Sequence, residues 1–116
     1  MKKLLLTAIV TILTVSIYAQ DTVSRTASFY HPKYNGRKTT SGEIYSDKKM
    51  TAASNDYPLG TKLLIINKKT GQSVTVVVND RMAQFIVNRI DLSRYAFKKI
   101  SPIAQGLQKV HVVQML

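Results

Sequence analysis

Two neighbouring runs, TKLLIIN over Thr61 to Asn67 and SVTVVVN over Ser73 to Asn79, constrain this chain more than any other feature. Only Lys68-Lys69-Thr70-Gly71 and Gln72 separate them, so they read as a β-hairpin with a glycine-containing loop. The first run is apolar at odd and even positions alike, which predicts a strand buried on both faces, as in a small barrel or sandwich. In the second, Val74, Val76 and Val78 share one face, and the next residue of that parity is Asp80. If that row faces the core, Asp80 sits at the mouth of a barrel. Poor solvation there disfavours the charged form and would let a carboxyl hold a proton near neutral pH, as a general acid must. A second acid, Asp91, lies between Ile90 and Leu92, so two carboxylates bracket a loop that also carries Arg81 and Arg89.

Closure of the sheet follows from what the chain lacks. It has no cysteine in 116 residues, so no disulfide framework and no cysteine-borne lipid anchor is available. A domain this small must then rely on one hydrophobic core without long exposed strand edges. Export is expected as well. Lys2 and Lys3, the apolar run Leu4 to Ile17 and Tyr18-Ala19-Gln20 have the layout of a secretory signal peptide over residues 1–19, cleaved after Ala19. Residues 20–26 then read as a leader and 27–116 as one domain, periplasmic or extracellular. The competing reading of the first segment is a membrane anchor, for which the apolar run is short of the ~20 residues a spanning helix needs.

The formal charge is +11, which draws such a protein towards polyanions. The lysines occur in scattered pairs, without a basic helix or interleaved stacking aromatics, so no nucleic-acid partner is expected. Along the chain, Arg25 to Tyr30 reads as a first strand closed by His31-Pro32. Lys33 to Gly42 reads as a surface loop. Glu43-Ile44-Tyr45 and Met50 to Ala53 read as brief extended pieces joined by a turn, and Asp56 to Gly60 as another turn. Ser93 can cap a helix with apolar positions Leu92, Ala96, Phe97 and Ile100, with Pro102 beyond it, and KVHVVQML forms a last strand. The sum is a mostly β barrel with one short helix after the charged loop.

Thiolate chemistry is excluded without cysteine, and no G-x-S-x-G elbow supports a serine nucleophile. His31 and His111 lack partners at metal-ligand spacing, so no metal is expected. What remains is the set Glu43, Asp80 and Asp91. Paired carboxylates on a barrel suit acid/base work on a glycosidic bond. The structural alternative is that Asp80 closes an Asx-turn and Asp91 helps to cap the helix.

Taken in order, ASFYHPKYNGRKTTSGEIY, MTAASNDYPLGTKLLIIN, GQSVTVVVNDR and NRIDLSRYAF resemble the double-psi β-barrel domain of the rare lipoprotein A family over residues 27–116. The resemblance implies a six-stranded barrel and an endolytic transglycosylase. Such enzymes cleave peptidoglycan between N-acetylmuramic acid and N-acetylglucosamine, leave a 1,6-anhydro end and need no cofactor. Carried over by motif, Asp80 of Asn-Asp-Arg would be the acid and then the base, and Glu43 of Ser-Gly-Glu would orient the sugar or stabilise its charge. Tyr30, Thr51, Ser54, Arg81 and Asp91 would bind substrate, and the domain would work as a monomer. The chain departs from the family pattern at Ser54, where the family has histidine, and at Met82-Ala83, where it has Gly-Pro. It also shows neither the lipid-anchoring cysteine nor the C-terminal peptidoglycan-binding repeat domain that many members have. Retention of both acids favours the enzyme. Loss of the histidine and of Gly-Pro favours an expansin-like module that binds wall polysaccharide without cutting it.

Overall fold

The computed structural model describes residues 22–116. Six strands, β1 (Thr22–Phe29), β2 (Thr51–Ala53), β3 (Lys62–Asn67), β4 (Ser73–Asp80), β5 (Arg89–Leu92) and β6 (Gln108–Gln114), close into a barrel in the order β1-β5-β2-β4-β3-β6. One helix, α1 (Arg94–Ile100), packs on it. Two pairs are parallel, β1 with β5 and β2 with β4, and the remaining four are antiparallel. The expected hairpin is present, with Lys62 opposite Val77 and Ile66 opposite Ser73.

The core is drawn from every strand. Ala27, Ala52, Leu63, Ile65, Val76, Val78, Ile90, Leu92, Val110 and Val112 fill the barrel, and Ala96, Phe97 and Ile100 of α1 join them. Val76 and Val78 are 0% exposed, as their shared parity requires. In β3 the expectation of two buried faces is corrected. Leu63 and Ile65 are buried inside, whereas Leu64 and Ile66 on the outer face are only half-buried, because no second layer covers that side.

Parity also breaks at the end of β4, with consequences for the site. The pairing of β2 with β4 shifts between Ala52 and Ala53, so that Ala52 faces Val78 but Ala53 faces Asp80. This bulge buries both Val78 and Asn79 and brings Asp80 to a half-buried position at the rim.

The first strand begins at Thr22 rather than Arg25 and takes in most of the stretch read as a leader. Thr22 to Ala27 find a complete antiparallel ladder along Val113 to Gln108 of β6, and that long-range pairing sets the boundary. Glu43 to Tyr45 contributes one isolated bridge, Lys38 with Ile44, instead of a strand. Leu92 ends β5, and α1 starts only after the Ser93 cap, whose hydroxyl accepts from the Ala96 amide at 3.4 Å. The signal segment 1–19 lies outside the described residues. Among the described residues no helix is long and apolar enough to cross a membrane.

Buried Asn67 joins the hairpin to the helix. Its Nδ2 donates to the Ile100 carbonyl at 2.7 Å, satisfying a helix-terminal acceptor, while its Oδ1 accepts from the Lys69 amide at 2.9 Å. Replacing it leaves the buried Ile100 carbonyl without this partner. Asn67→Ala should therefore lower stability by about 1–3 kcal/mol, read in urea as a lower midpoint with an unchanged slope. An unchanged midpoint would show that the Asn67 bonds are dispensable.

Candidate active site

Four donors converge on the Asp80 carboxylate. Oδ1 accepts from the Thr40 amide at 2.9 Å, the Thr40 hydroxyl at 2.8 Å and the Arg81 amide at 2.9 Å. Oδ2 accepts from the Tyr30 hydroxyl at 2.6 Å. Thr40 reaches it because the 39–43 loop is a closed turn. There Thr39 N donates to the Glu43 carbonyl at 2.8 Å and Gly42 adopts a left-handed φ of 91°, while Ser41 N docks the loop on the Asn79 carbonyl at 3.1 Å. Burial pushes the Asp80 carboxyl up, but the bonds from Tyr30, Thr40 and Arg81 outweigh it and hold the group below the usual carboxylate range. The expectation of a carboxyl that keeps a proton near neutral pH is thus corrected for the free protein. The sequence pattern foresaw the burial and missed the donors.

Tyr30 owes its position to the barrel's parallel pair. Its amide donates to the Leu92 carbonyl at 3.1 Å, extending the β1–β5 register by one step beyond Phe29. Its ring stacks on Tyr45 with centroids 4.2 Å apart and an interplanar angle of 14°. Tyr45 is pinned in turn, donating to Asp47 Oδ1 at 2.7 Å and accepting from the Arg94 amide at 3.2 Å. Burial, reinforced by the bond to Asp80, raises the Tyr30 hydroxyl far above its ordinary pKa, so it stays a neutral donor.

A cleft of about 590 Å³ opens over these groups. Asp80 and Asp91 both line it, and the Ser28 hydroxyl donates to Asp91 Oδ1. Arg37 and Lys38 stand on its wall beside Tyr34, whose ring lies edge-on to Tyr30 at 5.9 Å and carries the Arg37 guanidinium at 5.3 Å. Met82 packs against the Tyr30, Tyr45 and Ala53 cluster and forms part of the floor. Asn55 holds the segment around it, accepting from the Met82 amide at 3.0 Å and donating to the Ala83 carbonyl at 3.0 Å.

The sequence profile of a family described as lytic transglycolase matches residues 22–112. The chain belongs to the lytic transglycolase family. It is 45% identical over 96 residues to the endolytic peptidoglycan transglycosylase RlpA of Pasteurella multocida, covering 82% of this chain and 31% of that protein. To the RlpA of Haemophilus influenzae it is 40% identical over 86 residues, covering 74% of this chain and 30% of that one. The chain thus spans about a third of the length of these curated relatives. A solved structure of a Clavibacter michiganensis expansin is similar in fold, with a TM-score of 0.65 and 24% identity over 82% of this chain and 50% of that one. The closed barrel is accordingly of the double-psi type.

Within this lytic transglycolase barrel the residues singled out by motif separate into two groups. Tyr30, Asp80, Arg81 and Asp91 line the cleft. Arg81 does so with its guanidinium anchored, Nη1 donating to the Ser54 carbonyl at 2.7 Å and the Tyr57 carbonyl at 2.8 Å. Glu43, Thr51 and Ser54 do not line it. Glu43 is exposed on the 39–43 loop, where its carboxylate accepts from the Ser41 hydroxyl at 3.4 Å. Thr51 lies in β2 opposite Val77, and its carbonyl takes the Ser93 amide. Ser54 is 1% exposed and accepts from the Asp56 amide, so it shapes a turn and is out of reach of a ligand. Asp91 is likewise no helix cap, since Ser93 fills that role. The sequence reading overlooked Thr40, Tyr34, Arg37, Tyr45 and Asn55. Of these, Tyr34, Arg37 and Thr40 lie in the stretch that reads as a surface loop.

The lowered Asp80 pKa has a thermodynamic sign. Its ionised form contributes stability in full above the ordinary value of 3.8, and that contribution is lost as pH falls through the lower folded-state value. Thermal melts between pH ~6 and ~2 should therefore show a smaller acid-induced loss for Asp80→Asn than for the parent, with Tyr30→Phe between them. Parallel acid profiles for all three would contradict the hydrogen-bonded carboxylate described above.

Proposed function

We propose that this domain is an exported, monomeric endolytic transglycosylase that cleaves peptidoglycan glycan strands and leaves 1,6-anhydro-N-acetylmuramic acid ends. The observation that carries the reading is Asp80, a half-buried carboxylate at the rim of a cleft shared with a second carboxylate, Asp91. The relatives named as endolytic peptidoglycan transglycosylases support it at up to 45% identity. Placement in the periplasm or outside the cell agrees with a wall substrate and with the signal layout of residues 1–19.

In this reaction Asp80 gives a proton to the glycosidic oxygen as the bond from C1 breaks. The muramyl C6 hydroxyl then bonds to C1 and returns its proton to Asp80, so no water is consumed. Asp80 must start protonated, although it is ionised in the free protein. A glycan strand seated in the cleft excludes water and strengthens the burial contribution that already pushes this carboxyl up. Protonation is thereby coupled to substrate. Asp91, on the cleft wall, stabilises positive charge developing on the sugar ring, the role that the resemblance had suggested for Glu43.

A second reading has its own observation. An ionised carboxylate fixed by four donors is a rigid acceptor for sugar hydroxyls, suited to a module that grips polysaccharide without cutting it. Incubation with sacculi, followed by mass spectrometry of the soluble products, separates the two. The enzyme reading expects anhydro-muropeptides from the parent, a loss of about 10²–10⁴-fold in Asp80→Asn, a clear loss in Asp91→Asn and a smaller one in Glu43→Gln. Sacculi bound without any anhydro product would establish the binding module instead.

A further inference from the structure

One outward face of the barrel leads away from the cleft and carries cations for which the transglycosylase chemistry has no use. Along β1, Ala27 points into the core, which sends Ser24, Thr26 and Ser28 to the opposite face, with Tyr30 just beyond the strand end. On β5, buried Ile90 and Leu92 likewise send Arg89 and Asp91 outward. The strand registers then set Thr26 between Lys109 of β6 and Arg89 of β5, with Ser28 beside Asp91. Lys109 Nζ donates to the Thr26 hydroxyl at 3.0 Å, and Lys68 Nζ, arriving from the end of β3, donates to the Ser24 hydroxyl at 2.5 Å.

These contacts frame a hollow of about 380 Å³ lined by Ser24, Arg25, Thr26, Lys68, Asn88 and Lys109, with no carboxylate among them. Nearby acids leave its two lysines unpaired. Asp56 is bonded to Arg25 at 2.9 Å, the one ion pair among the described residues, and Asp91 faces the cleft next to Ser28. Arg89 Nε is buried without a hydrogen-bond partner. Two ammonium groups rest on neutral hydroxyls here, and a guanidinium nitrogen on the same face remains unsatisfied.

We infer that this face is a second subsite, which binds a carboxylate carried by the same glycan strand that occupies the cleft. The inference rests on the transglycosylase reading for the identity of the strand. Thr26 lies four residues before Tyr30 in an extended strand, so the subsite is about 13 Å from the Tyr30 end of the cleft at ~3.3 Å per residue. An extended polymer leaving the cleft along β1 passes Ser28 and Asp91 first. The Asp91 carboxylate repels an anionic substituent there, and the cationic row beyond it attracts one, so the charge pattern sets the register of the strand as well as its affinity. The ammonium groups of Lys68 and Lys109 supply the point-charge donors that a carboxylate accepts, and Arg89 on the same face adds to the positive potential.

The test is calorimetric titration of soluble peptidoglycan glycan strands into Asp80→Asn protein, before and after the strand carboxyls are amidated with carbodiimide and ammonia. Lys68→Gln with Lys109→Gln should weaken binding of native strands roughly three- to tenfold at low salt, as expected for two exposed charge pairs. Amidated strands should bind the Asp80→Asn protein with the same loss and ignore the lysine change. Lys98→Gln with Lys99→Gln, on exposed positions of α1, removes equal charge and should change binding less than twofold. Lys68→Arg with Lys109→Arg should restore it. In protein with Asp80 intact, the Lys68/Lys109 pair should raise KM and leave kcat unchanged. Equal weakening by the two glutamine pairs would reduce the effect to net charge and overturn the subsite, as would indifference to amidation. Absence of anhydro product with these binding differences intact would instead remove only the catalytic reading.

Discussion

The hydrogen bonds that Tyr30, Thr40 and Arg81 direct at Asp80 hold together parts of the chain far apart in sequence. Tyr30 directly follows β1, Asp80 ends β4, and Thr40 belongs to the loop between β1 and β2, so one carboxylate ties the ends of two strands and a loop into a rim. The same bonds set its chemistry. Burial alone would make Asp80 a weak acid, and the donors convert it to an anion in the free protein. A group placed between these opposing influences responds to a change in either, and a seated polymer changes burial most.

The barrel makes that arrangement rigid. Closure leaves β1 paired on both sides, with β5 and β6, and the parallel β1–β5 register carries through to the Tyr30 amide on Leu92. The bulge at Ala52/Ala53 turns Asp80 from core to rim. Behind it, the stacked pair of Tyr30 and Tyr45 and the Tyr45 bond to Asp47 leave the Tyr30 hydroxyl little freedom except towards Oδ2. Packing of this kind suits a site whose reacting groups must be held before substrate arrives.

How much of this was legible in the sequence depended on range. Local periodicity identified the β3–β4 hairpin, the buried valine row and the Ser93 cap, because each is fixed by neighbours within a few residues. Strand pattern and parity pointed to a small barrel with Asp80 at its mouth, and the family resemblance added the double-psi type and the acid/base role of the Asn-Asp-Arg carboxylate. The start of β1 at Thr22 escaped because it is set by pairing with β6 some ninety positions away. Thr40 escaped for the same reason, as a threonine in a polar loop carries no sign that it meets an aspartate forty positions on. Ser54 and Thr51 sit in motifs next to the cleft in sequence yet do not line it, since Ser54 is buried in the turn after β2 and Thr51 pairs with Val77 within the sheet. Alternation puts Asp80 at the end of a core row, but the direction of its pKa cannot be read from it, since three of the four donors come from Tyr30 and Thr40, fifty and forty positions away.

The central claim is that Asp80 in the free protein is an anion held by these donors, and it can be read directly from the pH titration of its carboxyl ¹³C resonance in uniformly labelled protein without glycan. A midpoint below the ordinary 3.8, moving upward in Tyr30→Phe, is the predicted result. A midpoint raised towards neutrality, or one that ignores loss of the Tyr30 hydroxyl, would contradict it.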